Sequence, residues 1–147
     1  MSNQEPQVIY DTVKLDRPLF AAIPSGEGKT TLQSQNSLLF ADWEQLLNSQ
    51  QWAEYQRLLQ DKKWDEINYL FSLIKIPTVN PNRIYLVHGF EHIPPHLKQN
   101  YLGAFLLNKG TNIRENAGNR KSLMKEPLVF FCSTFSARNE AIIERAL

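Results

Sequence analysis

The run Ser25-Gly26-Glu27-Gly28-Lys29-Thr30-Thr31 sets two glycines, an ammonium and three hydroxyls on consecutive residues. Together these groups can hold phosphate. Glycine lets the backbone approach an anion closely, and amide N–H groups around Gly26 to Lys29 can wrap a β-phosphate. Lys29 can reach the β and γ oxygens, and the Thr30 hydroxyl can hold Mg²⁺. Gly28-Lys29-Thr30 supplies the second half of a phosphate-binding loop (P-loop). Ile23 stands where that pattern has its first glycine, and Pro24 is expected to turn the chain there instead. Ser25 to Thr31 are therefore the expected nucleotide-binding residues. Glu27 carries the wrong sign for an anion site, so its side chain is expected to point to solvent. A glycine-rich surface turn ahead of a helix is the alternative reading.

Further along, four more residues suit phosphoryl chemistry. Asp42 closes the apolar run "SLLFAD", where kinases with such a loop put an acidic residue that handles the acceptor or the metal-bound water. It equally suits the N-cap of the following "WEQLL", and one carboxylate can do both. His88 ends the strand-like "IYLVH". A neutral imidazole is a poor magnesium ligand, so its expected roles are hydrogen-bond donor to phosphate or a base with a pKa of about 6.5, with a core histidine as the alternative. His92 and His96 follow at metal-ligand spacing, but Pro94 and Pro95 break the helix that would align all three, which argues against zinc. Arg114 and Arg120, within "NIRENAGNRKSL", are expected to close over the loop as lid arginines, because bidentate guanidinium groups stabilise charge on a transferring phosphoryl group. A solvated basic helix is the other reading, and Asn116 and Asn119 can contact a base or cap turns. Cys132, in "LVFFCS", reads as a buried inert thiol.

These side chains need a scaffold. "PLFAAIP" is a short apolar run between prolines, as expected of a strand covered on both faces. "GKTTLQSQ" opens a helix, and "SLLFAD" gives a second strand. The long stretch from Trp43 to Lys75 recurs in leucines and aromatics at threes and fours, predicting core-facing helices with a break near Asp61 to Lys63. "RIYLVHGF" is the third strand. Pro94 and Pro95 are expected to start a helix that ends near Gly110, and "PLVFFCS" is the fourth strand. An amphipathic helix with Ser136 as its N-cap follows. The order predicts an α/β fold: a mostly parallel sheet of about four strands with helices on both faces, P-loop kinase-like. Residues 1–17 form an N-terminal arm, and 18–147 a single P-loop α/β domain. Ligands bind such sheets beyond the carboxyl ends of the strands, where the glycine loop with Lys29, Asp42, His88 and Ser133 would converge.

The chain has 147 residues, 42% of them hydrophobic and 21% charged, with a net charge of +1. That suits one globular domain and encodes no general affinity for nucleic acid. No apolar stretch is long enough to span a membrane, and the start of the chain speaks against secretion. A single cysteine excludes an internal disulfide and fits a reducing, cytoplasmic compartment. Charge is uneven, however. From Lys98 to Lys125 six cations stand against Glu115 alone, net +5, which reads as a solvated face, an anion clamp or an RNA track.

"PSGEGKTTL", "LVHGFEHIPP" and "LGAFLLNKGTNIRENAGNRKSL" together resemble the P-loop-containing domain shared by a phytoreovirus core protein and proteins of fungal double-stranded RNA viruses of chrysovirus and megabirnavirus type. The similarity runs from about Pro18 to Leu123. "LVHGF" is also similar to the strand end of nucleoside monophosphate kinases, with His88 in place of their aspartate. The resemblance implies a nucleotide site and association with a virus particle, with viral RNA or capsid protein as partners and a virion as a second location. The combined expectation is a protein that binds ATP or GTP with Mg²⁺, in kinase-like or NTPase-like fashion. Lys29 would neutralise phosphate, Thr30 and Asp42 would serve the metal, and Arg114 and Arg120 would close over the transferring group. The alternative is a virion structural or RNA-binding protein that kept the fold without turnover.

Overall fold

Prolines at 18 and 24 bracket the central strand, β1 (Leu19–Ala22), in which every side chain is buried. The computed structural model describes residues 10–108 and 120–147. After β1 the chain runs through the glycine loop into α1 (Lys29–Gln35), then β2 (Phe40–Asp42) and a 3-10 turn over Trp43–Leu46. Helices α2 (Ser49–Gln60) and α3 (Trp64–Ser72) lead to β3 (Ile84–Val87). Two 3-10 turns, β4 (Tyr101–Leu107), α4 (Arg120–Met124), β5 (Val129–Cys132) and α5 (Phe135–Ala146) complete the order. The fold is α/β, with a sheet of order β2-β3-β1-β4-β5 in which every pairing is parallel.

Local chemistry sets the helix ends. Asn48 and Gln51 form a reciprocal capping box at the start of α2, satisfying two amides that the helix itself leaves unpaired. α2 stops at Asp61, and Lys62 takes the left-handed conformation (φ 52°), which separates it from α3 where the sequence predicted the break. α5 is capped by Thr134, whose hydroxyl accepts the Ala137 N–H at 3.0 Å, and not by Ser136.

The sheet has five strands where about four were expected, and the extra one is β4. Tyr101 to Leu107 was read as part of a helix started by Pro94 and Pro95. Those prolines instead nucleate only a 3-10 turn over Pro95–Asn100. A seven-residue apolar run cannot be assigned by periodicity alone; burial on both faces beside β1 makes it a strand. An extra residue bulges the strand at Gly103 (φ +125°), between the pairings Phe20 with Tyr101 and Ala22 with Ala104.

Two cores lie on opposite faces. One packs α2 and α3 over Phe20, Trp43, Tyr85 and Val87, with the Trp43 indole N–H bonded to the Phe71 carbonyl at 3.1 Å. The other packs α1 and α5 over Leu19, Ala21, Leu86 and Phe105. Residues 10–17, expected as an arm, lie along this second core. Tyr10 is buried there, donating its N–H to Asn36 at 2.7 Å and its hydroxyl to Glu140 at 3.1 Å. Among the described residues no helix is long and apolar enough to cross a membrane.

Candidate functional site

β1 and β3 are neighbours whose connections leave on opposite faces. β1 runs into α1, which packs with α5, while β3 runs into the 3-10 turn Phe90–His92, which packs against α3. A parallel sheet opens a crevice where adjacent strands diverge in this way. A cleft of about 440 Å³ lies there. The β1–α1 loop contributes Ser25, Gly26 and Gly28, and the first turn of α1 contributes Lys29, Thr30 and Thr31. Asp42 and His88 come from the ends of β2 and β3, Glu44 from the turn after β2, and Tyr55 from α2.

Ile23 explains how the loop manages without its first glycine. Its side chain is fully buried in the core beneath α1 and α5, so the chain stays extended one residue longer. The turn comes at Pro24, whose carbonyl accepts the Glu27 N–H at 3.3 Å. Gly28 then takes φ +85° as the N-cap of α1, a conformation that L side chains rarely adopt. A Cβ there would also meet the Phe135 ring at 3.2 Å. The first helical bond runs from Leu32 N–H to the Gly28 carbonyl, so the preceding amides have no partner within the helix.

Lys29 is the electrostatic centre. Its Nζ is buried and makes no hydrogen bond. Burial lowers its pKa, against the pull of the Asp42 and Glu44 carboxylates that face it. Those carboxylates are raised, each chiefly by burial. Asp42 is held back by Lys29 and by the Glu44 N–H that it accepts at 3.1 Å; Glu44 is pushed further by Asp42 and held back by Tyr55 and Lys29. Burial first, and then Glu44, raises the Tyr55 phenol. Asp42 thus caps the turn, one of its two expected roles, and it also lines the cleft. Glu44 and Tyr55 were not anticipated. The Asp42-x-Glu44 spacing was a usable signal, since a turn straight after a strand keeps both residues near the strand end, whereas nothing local marks Tyr55.

His88 lines the cleft with Nε2 3.7 Å from Glu44. Its ring stacks on His92 at 5.5 Å, and His92 stacks on Phe71 at 4.4 Å. Burial, then the Lys29 ammonium and His92, push the His88 imidazole down to about 3; burial with Lys29 and Lys98 brings His92 to about 4. The expected base with a pKa of about 6.5 is therefore corrected: the imidazole is held well below the ordinary histidine value.

Two other expectations are corrected. Glu27 does not face solvent: it is 1% exposed, accepting Arg120 Nη1 at 2.6 Å and the Leu107 N–H at 3.0 Å. Arg120 is correspondingly no lid. It is buried behind the loop and donates its second nitrogen to the Leu107 carbonyl at 2.6 Å, because an inward carboxylate in the loop demands a cation. Arg114, Asn116 and Asn119 lie outside the described residues. Within the basic segment Lys98 pairs with Glu91 at 3.3 Å, while Lys121 and Lys125 are exposed. Cys132 is buried, and burial raises its thiol.

No three His, Cys, Asp or Glu among the described residues form a metal cluster. Mg²⁺ ordinarily needs no such cage, being held by one or two carboxylates together with substrate phosphates and water, and Thr30 and Asp42 in one cleft fit that mode. Comparison of the chain with protein-family models, curated proteins and solved structures gives no match.

Proposed function

We propose that this cleft binds the polyphosphate of a nucleoside triphosphate with Mg²⁺, in the manner of a P-loop kinase or NTPase. The observation that carries the reading is the Lys29 ammonium, buried beside glycine-loop amides with no hydrogen-bond partner of its own. An unpaired buried cation is costly to keep, and an anion bound in the cleft would supply the missing partner. Thr30 and Asp42 would hold the metal against the phosphate oxygens, so the positive charge of the ion would also relieve the two buried carboxylates. Phe135, 42% exposed and set against Gly28, offers an aromatic face on which a base can stack.

Asp42, Glu44 and Tyr55 line the part of the cleft whose carboxylates act on the Lys29 ammonium. It is the side on which an acceptor hydroxyl or water would meet the γ-phosphoryl group. A carboxylate raised by burial is suited to take the proton of that nucleophile. Calorimetric titration of ATP, GTP, tripolyphosphate and AMP, each with Mg²⁺, tests the reading. The triphosphates and tripolyphosphate should bind far more tightly than AMP, and Thr30→Val should remove the Mg²⁺ dependence. Equal affinity for AMP and ATP, or binding indifferent to Mg²⁺, would refute it.

A further inference from the structure

A peptide group is planar and trans, so its C=O and N–H point in opposite directions. Fixing one aims the other. The peptide joining Glu27 to Gly28 is fixed from behind: Arg138 of α5 donates Nη1 to the Glu27 carbonyl. Arg138 is itself only 1% exposed, and Asn139 Oδ1 steadies the rest of its guanidinium, accepting Nη2 at 2.9 Å and Nε at 3.1 Å. Its ring neighbour Phe135 lies 5.2 Å from the guanidinium carbon. The same residue of the loop is pinned a second time through its side chain, by Arg120 and the Leu107 N–H. Gly28 lines the cleft while Glu27 does not. With the Glu27 carbonyl held inward, the Gly28 N–H must face the opposite side, toward the cleft.

We infer that Arg138 is a positioning residue for anion binding: by holding the Glu27 carbonyl it turns the Gly28 amide onto the phosphate. This rests on the phosphate-binding reading above. It accounts for an otherwise costly arrangement, in which two arginines and one carboxylate are buried behind the loop. A carbonyl left free to rotate would instead present its oxygen to the phosphate, replacing an attraction with a repulsion.

The test uses the whole chain and tripolyphosphate with Mg²⁺ as the probe. In the wild type the amide proton of Gly28, followed by ¹H–¹⁵N spectroscopy, should move downfield on binding. Arg138→Met, which keeps the bulk of the stem but loses the donor, should weaken binding by about tenfold or more and abolish that shift. Lys29→Met separates the two ideas, since it should lose binding while leaving the apo position of the Gly28 resonance in place. Arg138→Met binding as the wild type does would overturn the inference and leave the site standing. No binding by the wild type would overturn both. Should Arg138→Met fail to fold, the wild-type Gly28 proton decides alone: a resonance unmoved at saturating tripolyphosphate overturns the inference.

Discussion

Lys29→Met should make the ligand-free protein more stable while destroying its response to ligand. Burial lowers the lysine pKa despite the attraction of Asp42 and Glu44, so the site as a whole disfavours the charged form relative to water. Methionine keeps most of the apolar stem and removes the ammonium. A buried donor without a partner costs about 1–3 kcal/mol, of which the two carboxylates return a part, leaving a gain of about 1 kcal/mol for the variant. For a chain of this size that is a rise in Tm of about 2–4 °C. The usual core substitution moves stability the other way by about the same amount, so the sign is diagnostic. Saturating Mg·ATP at about a hundred times Kd should add about 2.7 kcal/mol to the wild type and nothing to the variant. Differential scanning calorimetry of both proteins, with and without Mg·ATP, reads all four states. A variant that melts lower than the wild type and still gains stability with nucleotide would show that Lys29 is a structural side chain and that the phosphate site lies elsewhere.

Glu27→Gln leaves Arg120 as a buried cation without its anion, which should cost about 3–5 kcal/mol in urea unfolding; a loss of under about 1 kcal/mol would mean the pair is not buried as described. Acid should destabilise the fold through His88 and His92. Both fold with pKa values below the ordinary 6.5, at about 3 and about 4, so the unfolded chain takes up protons that the folded one refuses. Stability is therefore complete above pH 6.5 and falls below it by up to about 1.4 kcal/mol per pH unit for each histidine, partly offset by Asp42 and Glu44, which burial raises. The double variant His88→Asn, His92→Asn should flatten that slope, and an unchanged slope would assign it to other groups. Gly103→Ala forces a Cβ to 3.0 Å from the Phe130 ring and 3.1 Å from the Leu128 carbonyl at φ +125°, and should lower stability by about 1–3 kcal/mol in thermal melts. An unchanged melt would contradict the bulge.

What could be read in advance divides along a physical line. β1, β2, β3 and β5, and the break between α2 and α3, were legible because each is set by neighbours in sequence: flanking prolines, an apolar run of strand length, a polar interruption. So was the convergence of the glycine loop, Asp42 and His88, since it follows from strand order once strands are recognised, although Ser133, expected on the same rim, is not among the residues that line the cleft. β4 was not legible, because Tyr101 to Leu107 satisfies both strand and helix patterns and only the neighbouring strands decide. The roles of Glu27, Arg120 and Arg138 were hidden for a deeper reason. Charge in a sequence is normally charge at a surface, and the default reading of a carboxylate in an anion loop is that it turns away to water. Here the loop instead takes the carboxylate inward. Ile23, where the pattern wants glycine, belongs to the core and cannot shape the loop, so the loop's form has to be imposed by partners that are distant in sequence. Glu27 meets Arg120 93 residues away and Arg138 111 residues away. Gly26 and Gly28 still supply left-handed backbone, but at Glu27 the loop is held by a buried ion pair to Arg120 and a carbonyl bond from Arg138, which is why the core residue at Ile23 and the unexpected arginines are parts of one device.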